Sequence, residues 1–211
     1  MKICGLSSEA AVTAAVEGGA AYVGFVFYPP SPRSVSPARA GALCAAVPQS
    51  VQRVALFVDA DDAAISAVVE AAPAIDILQF HGDESPERVA EAKRRFGRRV
   101  MKAIPVASAE DVAAATRYED AADLLLFDAK PPRRADALPG GNGLAFDWRL
   151  IAGRRWRLPW MLSGGLTATL LPDAVRISGA RAVDVSSGVE RSPGGKDPDK
   201  IGAFLEVARG L

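Results

Sequence analysis

Eight short apolar runs alternating with helical segments constrain this chain more than any other feature of its sequence. The runs are Lys2–Cys4, Tyr22–Phe27, Val54–Val58, Ile75–Phe80, Val100–Ile104, Leu124–Asp128, Leu158–Leu162 and Ala182–Val185. A continuous apolar run of this length is what a strand covered on both faces requires. Between the runs the pattern turns helical. Ser7 precedes Val12, Ala15 and Val16, Ser36-Pro37 opens a second segment, and Ile65, Val68 and Val69 stripe a third. Ser85-Pro86 starts a segment carrying Val89, Ala92 and Phe96, and Ser108-Ala109-Glu110-Asp111 reads as a capping box. A short helix is expected after Asp147, another near 173–177, and a last one behind Asp197-Pro198, bearing Ile201, Phe204, Leu205 and Ala208. Strict β–α alternation gives a parallel sheet, either closed or doubly wound. Polar or small residues at the C-terminal ends of most runs favour closure, because an open sheet concentrates its site at one switch point. The expected fold class is α/β: a single (β/α)8 TIM barrel over residues 1–211, lean for an architecture that usually takes ~250 residues. A doubly wound sheet is the runner-up.

Charge excludes several classes of function. Lys plus Arg and Asp plus Glu number 25 each, interspersed and without charged tails. That balance argues against a nucleic-acid partner or a membrane surface, both of which want a basic face. No apolar run approaches the ~18 residues of a spanning helix unbroken, and Glu9 interrupts any leader-like start. Cys4 and Cys44 are too few for a disulfide framework, so a reducing cytoplasm is expected. One histidine does not supply the two or three N/S ligands of a zinc site, and no metal is expected. Neither a dinucleotide fingerprint nor a P-loop occurs, so no such cofactor is expected.

The seventh and eighth runs end alike, in Ser163-Gly164-Gly165 and Ser186-Ser187-Gly188. Such ends let backbone N–H groups approach an anion closely. As neighbouring parallel strands they would form a phosphate grip at the position where barrels of this kind hold one. Tight turns are the alternative. The other strand ends offer Cys4, Tyr28 with Arg33 beyond it, Asp59, His81 with Asp83, and Asp128. Cys4 is a nucleophile or base, or a packed apolar residue; Asp128 is an acid, or a cap for the next turn. Arg33, stiffened by Pro29, Pro30 and Pro32, suits a carboxylate ligand. Lys102 lies inside the fifth run, placed for a Schiff base or for pairing with a carboxylate in the barrel. The rhythm breaks between Ala129 and Ala145, which reads as an active-site loop. Within it Gly140-Gly141-Asn142-Gly143 is either a hinge or an anion nest.

These residues carry a resemblance. Lys2-Ile3-Cys4-Gly5, Gly24-Phe25-Val26-Phe27 with Ser31-Pro32-Arg33, and Leu78-Gln79-Phe80-His81-Gly82-Asp83-Glu84 resemble phosphoribosylanthranilate isomerases. So do Phe127-Asp128-Ala129-Lys130, Gly140-Gly141-Asn142-Gly143 with Phe146-Asp147-Trp148, Ser163-Gly164-Gly165-Leu166, and Asp184-Val185-Ser186-Ser187-Gly188-Val189-Glu190. The likeness runs in order from residue 2 to about residue 206. Asn142 departs from the usual Thr or Ser, and Leu166–Pro172 lacks an Asn often found there. The resemblance implies a small cofactor-free barrel that performs an Amadori rearrangement in tryptophan biosynthesis. It implies Cys4 as general base, Asp128 as general acid and Arg33 facing the anthranilate carboxylate. It also implies His81 at the substrate, and Gly164, Gly165, Ser186, Ser187 and Gly188 at the phosphate. The implied partner is a phosphorylated small molecule, with the chain a monomer or homodimer. A different phosphosugar enzyme (an epimerase or a synthase) and a silent metabolite-binding barrel are the other readings.

Overall fold

The computed structural model describes residues 1–131 and 138–211. Eight strands run parallel: β1 (Lys2–Ile3), β2 (Tyr22–Phe27), β3 (Gln52–Phe57), β4 (Ile77–Phe80), β5 (Arg99–Val106), β6 (Leu124–Ala129), β7 (Trp160–Leu162) and β8 (Asp184–Val185). Their order is β7-β6-β5-β4-β3-β2-β1-β8. The ring is completed by one parallel bridge, Leu162 to Val183, with the Leu162 amide donating to the Ala182 carbonyl at 3.0 Å. The expected closed barrel is therefore the fold, with a thin seam between β7 and β8.

Helices α1 (Glu9–Glu17), α2 (Pro37–Ala45), α3 (Asp62–Ala71), α4 (Pro86–Phe96), α5 (Ala109–Ala114), α6 (Leu171–Ser178) and α7 (Pro198–Arg209) cover the outside. Six of the seven starts follow a capping side chain, whose oxygen satisfies an N–H that the first turn leaves free, while α6 begins behind Leu170 without one. Ser36, Ser85 and Asp197 cap as expected, and Ser108 forms the reciprocal box with Asp111. The first cap is Ser8, one residue later than the expected Ser7. Behind Asp147 there is only a 3₁₀ turn, Trp148–Leu150, in place of a full helix. A two-stranded hairpin, β9 (Glu190–Ser192) with β10 (Gly195–Lys196), follows β8 and has no counterpart among the expected elements.

Alternation along each strand sorts the side chains into two compartments. On β3, Val54 and Leu56 point into the lumen while Ala55 and Phe57 pack under the helices. The lumen floor holds Val54, Ile77, Met101, Leu124, Leu126 and Met161, and above it lie Cys4, Val26 and Leu56. The lumen is thus filled at its base and opens only at the C-terminal ends of the strands, where chemistry in this architecture sits.

Candidate active site

Cys4 at the end of β1, Arg33 after β2, His81 after β4, Asp128 on β6, Gly164 and Gly165 after β7, and Ser186 and Ser187 after β8 line one cleft. Gly188 lies just behind this wall, in a 3₁₀ turn over Ser187–Val189.

Asp128 is buried and served from two sides. Its Oδ1 accepts the Ala129 N–H at 2.9 Å, and Oδ2 lies 3.1 Å from His81 Nε2. Behind the ring, Gln79 Nε2 stands 3.1 Å from His81 Nδ1. The loop between β6 and β7 lies over this pair. A side chain at Gly140 would begin 2.7 Å from His81 Nε2 and 2.8 Å from Asp128 Oδ2, so only glycine lets the loop come this close. Residues 132–137 of the expected active-site loop lie outside the described residues. Its Gly140-Gly141 segment covers the cleft, and Asn142 donates within the loop to the Leu138 carbonyl at 2.7 Å.

Cys4 lies above a buried ion pair. Lys2 Nζ donates to Asp184 Oδ1 at 2.8 Å, and Ser163 Oγ donates to Asp184 Oδ2 at 3.0 Å. Gly24 on the neighbouring strand makes room for the thiol: a Cβ there would stand 3.0 Å from Cys4 Sγ and 3.4 Å from Lys2 Cε. Burial pushes the Cys4 thiol up, Lys2 and Lys196 oppose that, and Asp184 adds to it, leaving the thiol above its ordinary value. Burial would also strip the Lys2 proton, but the Asp184 carboxylate more than restores it. The positive group that a thiolate base needs is therefore present beside Cys4. Charge from the protein alone does not deprotonate the thiol.

Arg33 is held as well as presented. Its Nε and NH2 donate to the two oxygens of Glu190 at 2.8 and 2.9 Å, and NH2 also donates to the Gly141 carbonyl at 3.1 Å. Glu190 is shared with Lys196, whose Nζ donates to it at 2.7 Å and to the Ser186 carbonyl and hydroxyl at 2.9 and 3.1 Å. Burial raises the Glu190 carboxyl, yet hydrogen bonds and charge from Arg33 and Lys196 outweigh it and hold it below the usual range. Burial pushes Lys196 down despite Glu190. The β9–β10 hairpin thereby ties the Ser186 end of the cleft to the Arg33 end.

The amides of Gly164, Gly165 and Ser186 donate to no backbone carbonyl among the described residues. Neighbouring N–H groups left free at the mouth of a barrel can receive an anion. Lys102, by contrast, points away from the lumen. Its strand neighbours Met101 and Ala103 fill the lumen, and Lys102 bonds Glu84 at 2.9 Å and the carbonyls of Phe80 and Gly82 on the helix side. The expected carboxylate partner exists, but outside the lumen, and Lys102 has no access to a substrate there. Lys2, Gln79, Asp184, Glu190 and Lys196 are site residues that the sequence reading does not single out. The strand parity of Lys2 with Cys4, of Gln79 with His81 and of Asp184 with Ser186 is the signal available for three of them.

Residues 1–207 match the profile of the family described as N-(5'phosphoribosyl)anthranilate (PRA) isomerase. The chain belongs to that isomerase family. An N-(5'-phosphoribosyl)anthranilate isomerase from Parvibaculum lavamentivorans is 59% identical over 210 residues, covering 99% of this chain and 97% of the relative. One from Cereibacter sphaeroides is 58% identical over 209 residues, covering 99% and 98%. Among solved structures, the phosphoribosyl anthranilate isomerase of Thermotoga maritima superposes with a TM-score of 0.88 at 38% identity, covering 100% of this chain and 98% of that one. Another isomerase structure, in complex with reduced 1-(o-carboxyphenylamino)-1-deoxyribulose 5-phosphate, gives 0.85 at 36% identity, with the same coverage. None of the described helices is long and apolar enough to cross a membrane.

Proposed function

We propose that this cleft isomerises N-(5′-phosphoribosyl)anthranilate to 1-(2-carboxyphenylamino)-1-deoxyribulose 5-phosphate for tryptophan biosynthesis, with Cys4 as base and Asp128 as acid. The observation that carries the reading is the Cys4 thiol and the buried Asp128 carboxyl lining the same cleft, from strands three places apart around the ring. Asp128 gives its proton to the ribose ring oxygen, and the C1′–O bond breaks to leave an iminium conjugated with the anthranilate nitrogen. The cation acidifies the C2′ hydrogen. Cys4 takes that proton as thiolate, the electron pair moves into a C1′–C2′ double bond, and the enolamine becomes the ketone on protonation at C1′. Before substrate binds, burial keeps the thiol high. The substrate's own cation therefore joins Lys2 in forming the base when it is needed. No cofactor enters any step.

The free amides of Gly164, Gly165 and Ser186 suit the phosphate, with Ser187 and Gly188 completing its grip; Arg33 suits the anthranilate carboxylate, and His81 stands at the substrate beside Asp128. We read residues 1–211 as one barrel domain working in the cytoplasm, where Cys4 and Cys44 stay free thiols. Its partner is a phosphorylated small molecule, and the chain acts as a monomer or a homodimer; the Thermotoga maritima enzyme is described as dimeric. The purified chain, given freshly generated phosphoribosylanthranilate, is expected to abolish the substrate fluorescence with catalytic turnover. Binding without turnover would instead support a silent barrel.

Arg33→Ala is expected to raise KM for phosphoribosylanthranilate by on the order of 10–100-fold, the loss of one charge-assisted contact. Inhibition by ribose 5-phosphate, which lacks the carboxylate, should stay as it is. Equal weakening of both ligands would assign Arg33 to the Glu190 clasp alone.

A further inference from the structure

We propose that Gln79 is a positioning residue that holds the His81 ring in its Nε2–H tautomer, so that the ring donates to Asp128 and leaves the acid's own proton for the substrate. Gln79 is fully buried and sits two residues before His81, on the same face of β4. Three groups stand in line from it: the carboxamide Nε2, His81 with Nδ1 at 3.1 Å, and Asp128 Oδ2, 3.1 Å from His81 Nε2.

A neutral imidazole has one N–H and one lone pair. A carboxamide nitrogen only donates and its oxygen only accepts, so whichever end of Gln79 faces Nδ1 decides the tautomer. With the NH2 facing Nδ1, that nitrogen carries the lone pair and Nε2 carries the proton. Both Asp128 oxygens then accept, Oδ1 from the Ala129 N–H and Oδ2 from His81. A protonated Asp128 in this setting has no acceptor in His81, and its O–H is free to turn to a ligand in the cleft. With the amide reversed, Nδ1 carries the proton and the Nε2 lone pair faces Asp128. The carboxyl proton is then engaged in an O–H···Nε2 bond and withheld from the sugar.

This orientation of the amide leaves one atom without a partner. Gln79 Oε1 is buried and has no hydrogen-bond partner among the described residues. A methionine of similar length would avoid that orphan atom, so packing does not explain a glutamine here. Directing the ring does. When Asp128 has given up its proton, the carboxylate finds two donors already in place, and no side chain has to turn.

The catalytic meaning of this inference rests on the assignment of Asp128 as the acid, but its test does not. His81 is the chain's only histidine, so ¹⁵N-histidine labelling yields a single imidazole spectrum that needs no assignment. Above the pH at which the ring is neutral, the folded protein is expected to show a protonated Nε2 and a bare Nδ1. Gln79→Glu, whose carboxylate can only accept, is expected to place the proton on Nδ1. Gln79→Met is expected to give mixed tautomers, with kcat lowered about tenfold, the loss of one ordinary hydrogen bond, and KM within about twofold. A protonated Nδ1 in the unsubstituted chain, or one spectrum shared by all three proteins, overturns the proposal. Native turnover in Asp128→Asn would overturn the acid assignment instead, and leave the tautomer result standing.

Discussion

Asp128→Asn and Cys4→Ala are each expected to lower kcat for phosphoribosylanthranilate by at least roughly 10²-fold with the fold intact, the usual share of one partner in acid–base catalysis. The amide introduced in place of the Asp128 carboxyl keeps its size and one of its two acceptor oxygens, but has no proton acidic enough for the ring oxygen. The substitution therefore removes chemistry without emptying space. Cys4 packs with Val26 and Leu56, so alanine there leaves only a sulfur-sized gap beside the cleft. The two losses should combine less than additively, because ring opening and C2′ deprotonation are useful only in succession. Steady-state kinetics on both single variants and the double variant, with circular dichroism as the folding control, checks this. A Cys4→Ala chain with near-native kcat would return the thiol to a packing role.

Lys2→Met is expected to destabilise the fold by about 3–5 kcal/mol, the effect of leaving one member of a buried ion pair without its partner. Lys2 is fully buried, and Asp184 would keep only the Ser163 hydroxyl. Adding Asp184→Leu should recover much of that loss, because two apolar side chains in the lumen carry no uncompensated charge. Urea denaturation of the single and double variants measures both effects. If the double variant were less stable than Lys2→Met alone, Asp184 would be stabilising through some contact other than Lys2. The Lys2→Met chain should also turn over more slowly than its folded fraction accounts for, since Cys4 loses the cation that opposes its burial.

How much of this is legible in the sequence depends on range along the chain. Tyr22–Phe27 is legible to both ends because an unbroken apolar run lies between Ala21 and the Tyr28-Pro29 turn. The caps Ser36, Ser85, Ser108 and Asp197 are legible because capping is settled within three residues. Cys4, His81 and Asp128 follow from strand ends alone, but the same rule offers Asp59 and Asp83, which do not line the cleft. The Lys2–Asp184 pair joins positions 182 apart, and only the closing of the ring brings them together. Glu190 and Lys196 are hidden for another reason. The segment from Glu190 to Lys196 has no apolar alternation to announce strands, and its Pro193-Gly194-Gly195 turn is the sole local cue. Lys102 misleads because parity within β5, not its place in the run, decides which compartment it enters.

The seam of the barrel has a consequence for how ligand binding and integrity of the ring are linked. β7 and β8 are three and two residues long, and a single bridge joins them. Gly164-Gly165 and Ser186-Ser187 leave the barrel on opposite sides of that junction. In the phosphate site proposed above, an anion gripped by both loops would work as a staple across the weakest joint of the wall, adding contacts where the backbone supplies fewest. On that proposal, substrate arrival would tighten the enclosure that chemistry requires and product departure would loosen it, with no hinged domain involved.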